Sequence, residues 1–163
     1  MPRPQFLHLE VMGIQATKDM LVRGMTAASR MKPALELISE DMMRDVEINF
    51  TSQGHRGGGS WKPLAQSTIE RRARAGYGPE PILVVKGKLK ESMTVRGSPY
   101  QDLKVTNSEI SLRSRLAYAA VQNEGGGRIP ARPFATFVAG DVKRWTKICE
   151  DYLVEAMAGK GKK

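Results

Sequence analysis

Two glycine-rich stretches are the first places where this 163-residue chain could do chemistry. Gly57-Gly58-Gly59 lies in "GHRGGGSW", and Gly125-Gly126-Gly127 lies in "NEGGGRIPARPF". Backbone amides of such runs can wrap phosphate oxygens, but a phosphate loop also needs G-x-x-x-x-G-K-[ST] after a strand. Neither stretch contains it. Gly87-Lys88 is followed by Leu89, and the remaining Gly-Lys pairs sit in the terminal "GKGKK". G-x-S-x-G is absent, so no strained serine elbow is indicated. His8, His55 and the single Cys149 are too few for a zinc site unless distant carboxylates join them. His8 reads as a strand residue and His55 as a loop residue. Asp102 and Lys104 would share one face of a strand, as a metal-dependent nuclease requires; a solvated sheet face has the same pattern, and no companion carboxylate stands out. The expectation is a protein with no catalytic residues, no cofactor and no metal.

Charge points to partners instead. Lysine plus arginine exceeds aspartate plus glutamate by 26 − 17 = 9, which suits nucleic acid, anionic lipid or an acidic protein surface. The excess is spread along the chain except for "ERRARAG" and the basic end. Arg71, Arg72 and Arg74 could form a stripe aimed at DNA phosphates, pair with acidic residues of a neighbouring subunit, or be solvated. One cysteine excludes an internal disulfide and suits a reducing compartment. Cys149 falls in an apolar helical pattern, which reads as a buried thiol. No run of 18 apolar residues and no signal-peptide core occur, so a soluble protein made in the cytoplasm and free of membrane contact is expected.

These groups must be positioned by a single α+β domain. "QFLHLEVMG" alternates as a short strand, and "TKDMLVRGM" is weakly helical. In "SRMKPALELISEDMMRDVEINF", Leu35, Ile38, Met42, Val46 and Phe50 recur at spacings of three and four. Pro33 is tolerated only in a first turn, so this helix begins near it. Residues 32–50 would span about 28 Å. A glycine-rich loop leads to "STIERRARAG", where Ser67 and Glu70 fit a capping box and Gly76 a stop. "ILVV" reads as a short extended piece ending at Gly87. "MTVRG", "DLKVT" and "EISLR" read as a β region with a turn at Asn107-Ser108. "AYAAVQNEG" is a short helix stopped at Gly125, and the prolines hold "RIPARPF" extended. Asp141 is placed to cap a last helix running to about residue 158, with Trp145, Ile148, Cys149, Tyr152 and Leu153 on one face. The division is an N-terminal arm over residues 1–30, a domain over 31–158 with long N- and C-terminal helices on a small antiparallel sheet, and a basic tail over 159–163.

The loops carry surface signals. In "SWKPL", Trp61 is either buried in its own domain or an interface anchor. "RIPARPF" joins a preset backbone to a cation and an aromatic, which costs little ordering on docking; Phe134 fits a core plug equally well.

Taken in order, the long helix ending in "INFTSQG", then "SWKPLAQSTIERRARAG", "PILVVKGKLKESM", the hairpin, "YAAVQNEGGGRIPARPF" and the last helix resemble the phage virion morphogenesis family. These are the tail-completion and neck proteins of tailed bacteriophages. The resemblance spans about residues 33–157. Where the family often carries histidine before a glutamine, this chain has Val121-Gln122. The resemblance implies a structural protein of the virion neck, a hexameric ring at the head–tail junction through which double-stranded DNA passes unread. Its neighbours would be head-closure or connector, tail-terminator or tail-tube proteins. It also implies that Trp61, Pro63 and Leu64 meet subunits or partners, together with Arg128, Pro130, Arg132, Pro133 and Phe134. Thr68 and Arg71 match the family's helix, and Gly87, Leu89 and Ser92 its Gly-x-Leu-x-x-Ser turn. Tyr118 and Gln122 match the Tyr-Ala…Gln segment. All are carried over as packing and assembly positions. A tail terminator is the sister alternative, and a small basic DNA-binding or nuclease protein a further one.

Overall fold

The computed structural model describes residues 14–160. The expected strand through Phe6 and Val11, with His8, lies outside them. Among the described residues the fold is α+β, with six helices and one two-stranded antiparallel sheet.

The beam of the domain is α2 (Lys32–Thr51), which follows α1 (Ile14–Ala28). Pro33 sits in the first turn of α2, where its missing N–H is no loss. Ala34, Ile38, Val46 and Phe50 turn inward as the apolar spacing requires. The inward face is wider than that stripe, because Ser39, Asp41, Asp45 and Asn49 are also buried.

After the glycine-rich loop come α3 (Gln66–Arg74) and α4 (Lys88–Thr94), then β1 (Gln101–Val105) paired with β2 (Ile110–Ser114). The pairing runs Gln101↔Ser114 to Val105↔Ile110, and the Asn107-Ser108 turn closes it. Asp102 pairs with Arg113 at 2.9 Å and Lys104 with Glu109 at 3.3 Å, both at the surface. The strand carboxylate and lysine therefore form a solvated face. α5 (Ala119–Glu124) stops at Gly125, whose φ is 82°, and α6 (Ala139–Met157) completes the chain.

Three local expectations need correction. "ILVV" is a turn: Ile82 enters the core, and Leu83 takes a positive φ of 63°. A four-residue apolar run cannot by itself separate a strand from a buried turn. Met93 and Thr94, read as the start of a strand, end α4, where Leu89 and Met93 reach the core at helical spacing. Ser67 lies inside α3, whose N-cap is Ala65 with no side-chain cap, whereas Gly76 does follow its end at φ 78°. Asp141 does cap α6, from its third position, where it reaches back to accept the Val138 N–H at 2.8 Å.

α6 packs on α2 and on α1. Arg23 on α1 donates to the Met157 carbonyl at 2.9 Å, and the Tyr152 hydroxyl donates to the Arg30 carbonyl at 2.8 Å. Residues 14–30, expected as an arm, thus lie against the chain's own last helix.

Candidate functional site

The core aromatic cluster shapes the surface above it. Phe50 meets Trp61 edge-on at 5.6 Å and stacks on Phe134 at 5.5 Å. Trp61 is 5% exposed and Phe134 3%. Trp61 Nε1 donates to the Pro133 carbonyl at 3.1 Å, and Asn49 Nδ2 donates to the Pro133 and Phe134 carbonyls, each at 3.0 Å. Asn123 Oδ1 accepts the Phe134 N–H at 3.1 Å. The proline-bracketed segment is therefore held by side-chain bonds to its backbone, and its shape exists before any partner arrives.

The glycines make that shape possible. A Cβ on Gly125 would stand 2.8 Å from the Ala131 nitrogen, so only glycine lets the two strands of this loop approach. Gly126 bridges Ile129, and the turn between them carries Arg128 at its tip.

Beside this loop lies an open groove of about 690 Å³, within the roughly 300–1,000 Å³ of small-ligand pockets. One wall is Pro63 and Leu64 with Thr68, Arg71 and Arg72 of α3. A second is the turn before α4, with Gly87 and Leu89. Tyr118, the residue before α5, and Gln122 of α5, with Arg128, Pro130 and Arg132, form the third. Most of the residues singled out in the sequence thus converge here from four chain segments. The lining has no carboxylate, histidine or cysteine, so its chemistry is that of a cationic, apolar contact surface.

Several singled-out residues lie elsewhere. Trp61 and Phe134 are core residues that shape the groove from beneath, because the T-shaped and stacked contacts bury both rings. Ser92 is fully buried, donating to the Leu89 carbonyl at 2.7 Å and sharing a hydrogen bond with the Ser114 hydroxyl at 2.8 Å. Pro133 contributes its carbonyl. The arginine trio of α3 divides. Arg71 faces the groove, Arg74 is exposed outside it, and Arg72 is 9% exposed. Arg72 Nη1 donates to the carbonyls of Pro79 at 3.1 Å and Pro81 at 3.2 Å, which removes it from any stripe. Arg132, 5% exposed, likewise clasps the carbonyls of Lys62 at 2.9 Å and Pro63 at 3.1 Å. Burial lowers the pKa of both; at Arg72 the Glu80 charge works against the shift, and at Arg132 the nearby Arg72 charge adds to it.

Lys62, Leu83, Val85, Lys86, Lys88 and Ile129 also line the groove and were not singled out. All six lie within or beside the motif segments, which is the signal that could have found them.

A second cluster went unread in the sequence. Asp41 and Asp45 of α2 and Asp141 of α6 surround Arg56 and Arg144. Arg56 pairs with Asp45 at 2.7 Å and with Asp141. Arg144 reaches Asp41 at 2.5 Å, Asp45 at 2.6 Å and Asp141 at 3.3 Å. Trp145 Nε1 donates to Asp41 at 2.9 Å. Burial pushes the Asp45 carboxyl up despite both arginines. Burial also acts against Asp141, but the Val138 N–H and Arg56 outweigh it and hold that carboxyl below its ordinary value. Every carboxylate is tied to arginine, so the cluster welds α2, α6 and the loop at Arg56. Among the described residues, no group of acids, histidines and cysteines is arranged to hold a metal, and no helix is long and apolar enough to cross a membrane.

In comparison with known proteins, a model of the phage virion morphogenesis family matches residues 12–154. No curated protein and no solved structure matches the chain.

Proposed function

This chain belongs to the phage virion morphogenesis family, and from that membership we propose that it is a structural protein of the phage neck. It forms a ring, expected to be hexameric, at the head–tail junction, where it completes the tail and joins it to the DNA-filled head. The observation that carries this reading is the preformed groove. Pro63, Leu64, Thr68, Arg71, Arg128 and Pro130 come together on one rigid, cationic, part-apolar face. That is what a contact with another virion component needs, since a pre-ordered surface loses little entropy on docking. The remaining positive charge suits a lumen that contacts DNA phosphates without reading bases.

Electron microscopy of a lysate from phage lacking this gene tests the reading. Filled heads beside unattached tails of normal length are the expected result. Abnormally long tails would replace the neck role with that of a tail terminator. Intact infectious particles would overturn the assembly role itself.

A further inference from the structure

The groove is charged more strongly than a general docking surface requires. Every charged side chain lining it is lysine or arginine. Arg72 and Arg132 are buried at its base, yet each is accepted only by backbone carbonyls and neither has a carboxylate within ion-pair distance among the described residues. Burying such cations is costly; the nearby Glu80 charge offsets part of this at Arg72, while at Arg132 no acid does, and an anion brought to the groove relieves both. Among the described residues, Nε and Nη2 of Arg72 and Nη1 of Arg132 have no protein acceptor. At the rim, Arg71 and Arg128 are exposed and make no ion pair among the described residues.

We propose that this groove seats an acidic segment of a second virion protein, with apolar side chains on its floor and carboxylates on its arginines. The inference rests on the assembly role above and names the chemistry of the partner. Two observations choose the occupant. Much of the lining is apolar, with Leu64, Leu83, Val85, Leu89 and Ile129, and a duplex DNA backbone has nothing to bury there, whereas leucine or valine of a polypeptide does. A second copy of this chain is a poor source of carboxylates. Glu36, Glu47, Asp102, Glu109 and Asp151 already hold cations of their own chain. Asp19, Glu40, Glu70, Glu80, Glu124, Glu150 and Glu155 are spread over α1, α2, α3, the loop after it, α5 and α6. A single acidic and apolar segment is therefore better supplied by another protein.

The test uses the full chain and fluorescence anisotropy. The probes are a labelled peptide of glutamates and leucines, a glutamate-only peptide of equal length, and a short DNA duplex. The mixed peptide should bind at least about tenfold more tightly than the glutamate-only one, since two buried leucines suffice for that. Arg71→Glu with Arg128→Glu should weaken it at least about tenfold while leaving thermal unfolding in place. Equal binding of all three probes would make the groove a general polyanion surface and overturn the proposal, as would no binding. In phage carrying the double charge reversal, suppressors that change acid to base in another structural gene support it. Suppressors at exposed acids of this chain would assign the groove to a second copy. If deletion of the gene blocks assembly but the charge-reversed phage grows normally, the groove inference falls and the assembly role stands.

Discussion

Replacing Arg56 with methionine should expose what holds α6 to the beam. The side chain is mostly buried, and its Nη2 bonds Asp45 at 2.7 Å and also Asp141. Without it, two buried carboxylates share Arg144, which already serves Asp41. Breaking a buried charge pair costs about 3–5 kcal/mol, and because Arg144 remains in place we expect about 3 kcal/mol at pH 7. For a chain of this length that is a fall in Tm of roughly 6–12 °C. The cost should also depend on pH. In the wild-type protein the raised Asp45 carboxyl favours the folded state below its ordinary value and opposes it above, while the depressed Asp141 contributes stability above its ordinary value that is lost as pH falls through the folded one. Arg56 lowers both carboxyls, so removing it raises both. Each unit of rise is worth about 1.4 kcal/mol once the group protonates. The variant's deficit should therefore shrink between pH 7 and pH 4.5. Urea unfolding followed by fluorescence of Trp61 and Trp145 measures it at both values. A deficit below about 1 kcal/mol, against the 3–5 of a broken buried pair, or one unchanged with pH, would refute the account of this cluster.

Other substitutions probe the parts that shape the groove. Gly54→Ala places a Cβ 2.4 Å from Trp61 Cδ1 at a φ of +93°, and chemical denaturation should show a loss of at least about 2 kcal/mol. Asn49→Ala leaves the Pro133 and Phe134 carbonyls without their shared donor, a loss of about 2–3 kcal/mol by the same measurement. Arg72→Ala should destabilise by about 2 kcal/mol through its two lost carbonyl contacts, while Arg71→Ala stays within about 0.5 kcal/mol; equal effects would contradict their different burial. Cys149 is half-buried, and burial pushes its thiol up, so its alkylation at pH 8 should be slower than that of an exposed cysteine peptide.

Periodic features were the legible ones. Ile38, Val46 and Phe50 mark α2 because their spacing is that of a helix face. Gly76 and Gly125 mark stops because a positive φ is needed there, and Asn107-Ser108 marks the only hairpin among the described residues. Short apolar stretches were not legible: Ile82 and Met93 satisfy burial in a turn and in a short helix as readily as they would in strands. The Asp41–Asp45–Asn49 stripe was hidden for another reason. Acids four apart on a helix read as a solvated face until Arg56 and Arg144, far away in sequence, are known to meet them. Arg72 and Arg132 were hidden the same way, since nothing local says that an arginine will turn inward to carbonyl groups. For the groove, the motifs named most lining positions, but long-range folding decided which faced it.

The two inward arginines have a consequence for how such a protein diversifies. They grip main-chain oxygens of Lys62, Pro63, Pro79 and Pro81, and a carbonyl is the same whatever side chain its residue bears. The cradle is thereby insulated from its own decoration. A lineage can exchange rim side chains, and so follow a changing neighbour, without rebuilding the scaffold that presents them.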